Sequence, residues 1–159
     1  MPRRGGAQPR KIDPDPIYKN RVLAKLINRS MRNGKKDAAQ KQVYKALEMI
    51  KEKTKDDPIK VFAKAIDNIK PSMEVRPRRV GGAAYQVPMP VRGSRRESLA
   101  IRWVIGAARG RSNSEFHTFA EKLAAELIDA ANGEGGAMKK KSDMERMAEA
   151  NRAFAHFRW

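Results

Sequence analysis

The chain has 159 residues and a formal charge of +17, from 35 Lys and Arg against 18 Asp and Glu, with 40% hydrophobic residues and no cysteine. That length suits one domain with a real core. A pI of about 10.5 is the footprint of a nucleic-acid binder, not of a lysine-coated protein whose acids nearly balance its bases, and the missing cysteines exclude disulfides, thiolate metal sites and cysteine nucleophiles. No apolar run follows the basic N-terminus, as a secretory signal requires, and no stretch approaches the roughly 20 apolar residues of a membrane span, so a cytoplasmic protein is expected.

Residues 1–16 carry Arg3, Arg4, Arg10 and Lys11 among four prolines and read as an extended basic tail, leaving 17–159 as the folded domain. Helix one is expected from about Lys19 to Arg32, with Val22, Leu23, Leu26, Ile27 and Met31 on one face, and Asn33-Gly34 as its stop. Helix two runs from Asp37 to about Lys53 on a stripe of Val43, Ala46, Leu47 and Ile50. Asp57-Pro58 caps helix three, whose face is Phe62, Ala65, Ile66 and Ile69 and which Pro71 ends. From about Met73 to Val91 the pattern becomes a two-stranded ribbon. Gly81-Gly82 supplies its tight turn, and Pro77, Pro88 and Pro90 make both strands edges, as in an arm that stands off the body and orders fully only against a partner.

Ser94 to Glu97 reads as a capping box for helix four, Arg95 to about Arg109, which is apolar on more than one side and is the expected central helix. Its Trp103 is expected in the core. Helix five, Glu115 to Ala131, has the cleanest stripe, beginning at Phe116 and Phe119. Gly135-Gly136 predicts a loose connection to a last helix from about Met138 to Phe154, frayed at its start by Lys139, Lys140 and Lys141, which oppose the helix dipole. The C-terminal helix and tail thus occupy about 137–159. The methionines on helix stripes, Met31, Met49, Met144 and Met147, read as core filler. The expected fold is mainly α, about six helices with a protruding β-ribbon between the third and fourth.

Catalysis is not indicated. His117 and His156 have no metal-ligand companion at helical spacing, no phosphate-cradling loop ending in Gly-Lys-Ser/Thr occurs, and no glycine cluster follows a strand as a dinucleotide site requires. Neither a catalytic residue, a metal, a cofactor nor a small-molecule substrate is expected. The cations instead fall in blocks: the tail; Lys35-Lys36 at a helix N-terminus; and a long arginine block, Arg76, Arg78, Arg79, Arg92, Arg95, Arg96, Arg102, Arg109 and Arg111, opposed only by Glu74 and Glu97. Arginine's planar fork binds phosphate bidentately and stacks on bases, so shape-specific contacts belong to this block. Tyr85 has two readings, stacking on a base or packing against the ribbon's own valines. Trp159 is equally open, docked on the body or touching RNA. Scattered basic blocks and a tip without a bulky wedge favour irregular RNA over a DNA duplex. An architectural DNA binder and a small RNA-modifying enzyme are the alternatives.

In order along the chain, Asn33-Gly34-Lys35-Lys36, Arg78-Arg79-Val80-Gly81-Gly82 running into Tyr85-Gln86-Val87-Pro88, Lys122 to Leu127, and the ending Met147 to Trp159 resemble the family of bacterial small-subunit ribosomal protein seven. The resemblance implies a non-enzymatic helical protein with a β-ribbon. It implies binding to the 3′ major domain of small-subunit ribosomal RNA, initiation of head assembly, and a place near the exit site in contact with tRNA and mRNA. Small-subunit proteins nine and eleven are the implied neighbours. Carried over by position, Arg3, Arg4, Arg10, Lys11, Lys35, Lys36, Arg76, Arg78, Arg79, Arg95, Arg102 and Arg109 correspond to RNA-facing elements; Arg92, Arg96 and Arg111 join them from the arginine block. Gly81, Gly82, Tyr85, Lys139, Lys140, Lys141 and Arg152 fall on the exit-site side. The segment Arg111 to Thr118 departs from the family's usual short turn.

Overall fold

A computed structural model describes residues 11–157; Arg3, Arg4, Arg10 and Trp159 lie outside the described residues. Six α-helices, one hairpin and a short C-terminal 3-10 helix follow in the order α1 (Arg21–Ser30), α2 (Lys36–Thr54), α3 (Pro58–Ile69), β1 (Met73–Val80), β2 (Ala83–Pro90), α4 (Gly93–Gly110), α5 (Phe119–Asn132), α6 (Gly136–Ala150) and the 3-10 segment Arg152–Phe157. The mainly helical fold with a hairpin between α3 and α4 is as the sequence predicts.

Local chemistry sets the helix starts. The Asn20 side chain accepts hydrogen bonds from the backbone N–H groups of Val22 and Leu23, and the Asp57 side chain does the same for Ile59 with Pro58 following it. The predicted stripes then bury: Leu23, Leu26, Ile50, Phe62, Ile69 and Leu123 are all at most 1% exposed. Each such side chain contributes about 1.5–3 kcal/mol relative to an exposed position.

The central helix is α5, not α4. It packs on α2, α3, α4 and α6, and Ala120, Ala124 and Ala130 are fully buried at those crossings. Small side chains let four neighbours approach one cylinder, whereas α4 must keep one side for Arg95, Arg102 and Arg109, all exposed. Trp103 is half-buried against the core. Of the methionines expected as core filler, Met49 packs half-buried against the core, Met31 and Met144 are half-buried, and Met147 is 48% exposed.

Two boundaries move for tertiary reasons. Helix α5 starts at Phe119 because Thr118 and Glu121 form the capping box, each satisfying the other's backbone donor; residues 115–118 form its approach. Ser94 caps nothing, since α4 begins at Gly93 and Glu97 instead pairs with Lys25 of α1.

The connection into α6 is tight. Buried Glu126 of α5 accepts a 2.8 Å hydrogen bond at Oε1 from the Ala137 N–H, capping α6 from a neighbouring helix. Gly135, at φ +96°, lies so near that a Cβ there would sit 3.0 Å from Glu126 Oε1 and 3.2 Å from Asp129 Cβ. The start of α6 is thus anchored instead of frayed.

Candidate nucleic-acid interface

Capping fixes the rotation of α1 so that Arg21, Lys25 and Arg29, four residues apart, share its outer side. Helix α4 packs beside it. Between them lies a cleft of about 750 Å³ lined by Lys11, Arg21, Lys25 and Arg29 with Ser94 and Ser98. A second cleft, about 450 Å³, opens where α1 ends and α2 begins, among Arg32, Lys35, Gln42, Arg109, Asn113 and His117. The intervening turn takes Asn33 to φ 52° and Gly34 to φ 74°, leaving Lys35 and Lys36 exposed.

Arg109 reaches from the end of α4 to donate a 2.9 Å hydrogen bond from Nη2 to the Ser30 carbonyl, which lays its guanidinium on the end of α1. Burial, then Arg32 and Arg29, push its pKa below the ordinary guanidinium value. Like charges are crowded here without a carboxylate between them. Among the described residues Arg21, Arg29, Arg32, Lys35, Lys36, Arg92, Arg96, Arg102 and Arg109 enter no ion pair. Such a face is built for an anion that comes from outside.

On the ribbon the turn is as read from the sequence: Gly81 and Gly82 stand at φ +57° and +89°, and Val80 pairs with Ala83 across it. Its arginines divide. Directly opposed residues project to the same side, so Arg78, opposite Tyr85, shares the face of Glu74, Arg76 and buried Val87. Arg79 lies on the other face with exposed Pro77, Ala84 and Gln86. At the root, Glu74 is only 3% exposed and is gripped by Arg76 and by Arg95, whose Nε lies 2.9 and 2.7 Å from its two oxygens. Arg96 donates to the Pro71 carbonyl at 3.0 Å. The ribbon is not a bare arm, since α6 and the 3-10 segment pack along it. Tyr85 meets Phe154 and Phe157 there, a third alternative to the two readings of that ring.

Arg111 is placed differently from the rest of its block. Its guanidinium pairs with Glu126 at 2.7 Å and with Asp129, and it lies over the Phe116 ring at 5.5 Å. Burial opposes its charge, but the hydrogen bonds it donates to Asp129 and Glu126 outweigh burial and hold its pKa above the ordinary value. Lys122, 8% exposed, donates to the Arg111 carbonyl at 2.6 Å and to Asn113 Oδ1 at 2.5 Å. The segment 111–118 is thereby tied down from inside. On α6, Lys139 and Lys140 are exposed while Lys141 donates to the Asn68 carbonyl at 2.7 Å. Arg152 is exposed and pairs with Glu149 at 3.3 Å.

Four cations escaped the sequence reading: Arg21, Lys25, Arg29 and Arg32. The signal was present, for no Asp or Glu occurs from Pro16 to Lys36 while seven Lys and Arg do. Among the described residues no helix is long and apolar enough to cross a membrane, and no group of three His, Asp or Glu is placed to hold a metal ion.

Comparison with known proteins agrees with this geometry. The sequence model of the family described as Ribosomal protein S7p/S5e matches residues 2–152. The chain is 57% identical over its full length, and over all of the relative's, to small ribosomal subunit protein uS7 of Carboxydothermus hydrogenoformans. It is 58% identical, again over all of both chains, to that of Caldicellulosiruptor bescii, and 57% identical over 99% of both to that of Thermosipho africanus. The cation face, the ribbon and the match across the whole chain lead to one conclusion: this protein belongs to the Ribosomal protein S7p/S5e family, as a non-enzymatic, RNA-binding structural constituent of the small subunit of the cytoplasmic ribosome.

Proposed function

We propose that this protein is a primary binder of the 3′ major domain of small-subunit ribosomal RNA and that its binding initiates assembly of the subunit head. The face of α1 and α4 with Lys35 and Lys36 takes the ribosomal RNA, and the cations of the basic tail (Arg3, Arg4, Arg10 and Lys11) and the ribbon arginines add to the binding. The ribbon tip and the C-terminal segment lie toward the exit site, in reach of tRNA and mRNA, and small-subunit proteins nine and eleven are the protein neighbours. The observation that carries this reading is a set of exposed cations that enter no ion pair among the described residues, Arg29 lining one cleft and Arg32 and Arg109 the other.

The mechanism is counterion release combined with shape. Each phosphate neutralised by these side chains frees condensed ions, so affinity falls steeply with salt. Guanidinium groups on rigid helices fix where a phosphate sits, and a folded RNA presents phosphates at matching positions. Arg111 serves this surface indirectly by holding its loop.

Hydroxyl-radical footprinting on full small-subunit RNA tests the proposal. Protections are expected within the 3′ major domain, and Arg78→Ala with Arg79→Ala should lose a subset of them. Protections confined to other domains, or their absence at low ionic strength, would refute it. Excess duplex DNA serves as competitor and should displace the RNA poorly.

A further inference from the structure

Among the described residues the sheet has two strands and no third, and such a pair is marginal by itself in water. It nevertheless has a backing. At its root, Glu145 of α6 accepts hydrogen bonds from the Ser72 N–H and hydroxyl at 3.0 and 2.8 Å. Toward the tip, the Tyr85 ring lies 5.3 Å from Phe154 and 5.2 Å from Phe157. Those two phenylalanines stack on each other at 6.4 Å and 13°, and His156 lies 4.0 Å from Phe157.

The local backbone explains the stack. Helix α6 ends at Ala150 and the chain tightens into a 3-10 turn over Arg152–Phe157. At three residues per turn, side chains three apart eclipse, so Phe154 and Phe157 present both rings on one side. In an α-helix the same two side chains would stand about 60° apart around the axis. On the ribbon, Tyr85 is the cross-strand partner of Arg78, three residues beyond the second tip glycine, Gly82.

We propose that Tyr85, Phe154 and Phe157 are positioning residues: together they form an aromatic brace by which the C-terminal segment sets the direction of the ribbon, and hence where Arg78 and Arg79 meet RNA. The RNA part rests on the function proposed above; the brace itself does not. Ring pairs of this geometry shift an equilibrium by about 2- to 12-fold each, enough to hold the hairpin in one orientation against its own marginal stability.

The chain has no cysteine, so spin labels attach uniquely to Ala83→Cys at the exposed tip and Lys45→Cys on the exposed side of α2. Pulsed electron-spin distances should be narrow in the labelled parent and in Tyr85→Phe, which keeps the ring. They should broaden in Tyr85→Ala and in Phe154→Ala with Phe157→Ala. The two variants dismantle the same contact from opposite sides, and Tyr85→Ala does so outside the helical core, so unchanged helical circular dichroism separates loosening from unfolding. Unbroadened distances in both overturn the brace. In footprinting, the broadened variants, which lose both Tyr85 ring pairs, should lose about 4- to 140-fold in affinity for small-subunit RNA, with protections lost at the nucleotides that depend on Arg78 and Arg79 and kept elsewhere. Tyr85→Phe should restore them. Full tip protection in a broadened variant overturns the positioning role. A parent that protects no RNA at all refutes the proposed function, while the distances still judge the brace.

Discussion

Replacing Arg29 and Arg109 together by alanine removes two of the crowded cations that have no carboxylate partner among the described residues. Each phosphate contact contributes about 0.7 to 0.9 to the slope of log affinity against log salt, so the double variant should flatten that slope by about 1.4 to 1.8. Over a fourfold rise in salt, the gap between parent and variant then narrows by about 7- to 12-fold. A variant that binds about 100-fold more weakly at low salt would be only about tenfold weaker after that rise. Filter binding of small-subunit RNA across a salt series reads this directly. Glu97→Gln supplies the opposite arm, because Glu97 occupies Lys25; freeing that lysine should steepen the slope by up to about 0.9 and tighten binding at low salt. Lys51→Ala, exposed near the end of α2, should leave it unchanged. Parallel lines for parent and Arg29→Ala/Arg109→Ala would show that these cations meet no phosphate, and the assignment of the α1–α4 face would fall.

Two further outcomes concern the scaffold. Gly135→Ala forces a side chain into φ +96° and brings a Cβ to 3.0 Å from Glu126 Oε1, so it should lower stability by about 1–3 kcal/mol in urea unfolding; an unchanged midpoint would mean that the α5–α6 joint is slack. Hydrogen bonding to Thr118, then to the His117 backbone, holds the Glu121 carboxyl below the ordinary glutamate range. A carboxylate depressed in the folded state adds stability above its unfolded pKa of about 4.3 and loses it as pH falls through the folded value. Melting curves across that acid window should therefore fall more steeply for the parent than for Glu121→Gln, and coincident curves would contradict the capping role.

What could be read from the sequence divides along the range of the interactions. The turn at Gly81-Gly82 was legible to the residue because glycine takes positive φ angles at no steric cost. The stripes of α1, α2 and α3 were legible because periodicity is local. Ser94 to Glu97 and Thr118 to Glu121 carry the same capping signature, yet only the second acts as one: Glu97 is claimed by Lys25, 72 residues away. Arg111 belongs by composition to the arginine block, but two acids on α5 draw it inward. The end of α6 shifted because Phe154 and Phe157 answer to Tyr85, a contact invisible in either segment alone. The basic side of α1 went unread for a different reason: its cations are spaced as on any solvated helix, and only the missing acids set them apart.

Crowding Arg109 against Arg29 and Arg32 leaves the free molecule under internal electrostatic pressure that a guest polyanion releases. Ligands that prefer the native state raise its melting temperature by mass action, so heparin or bulk tRNA should toughen the isolated protein almost as indiscriminately as its proper transcript. Fidelity must then come from contour, with a rigid footprint that only one fold of RNA can satisfy at every point.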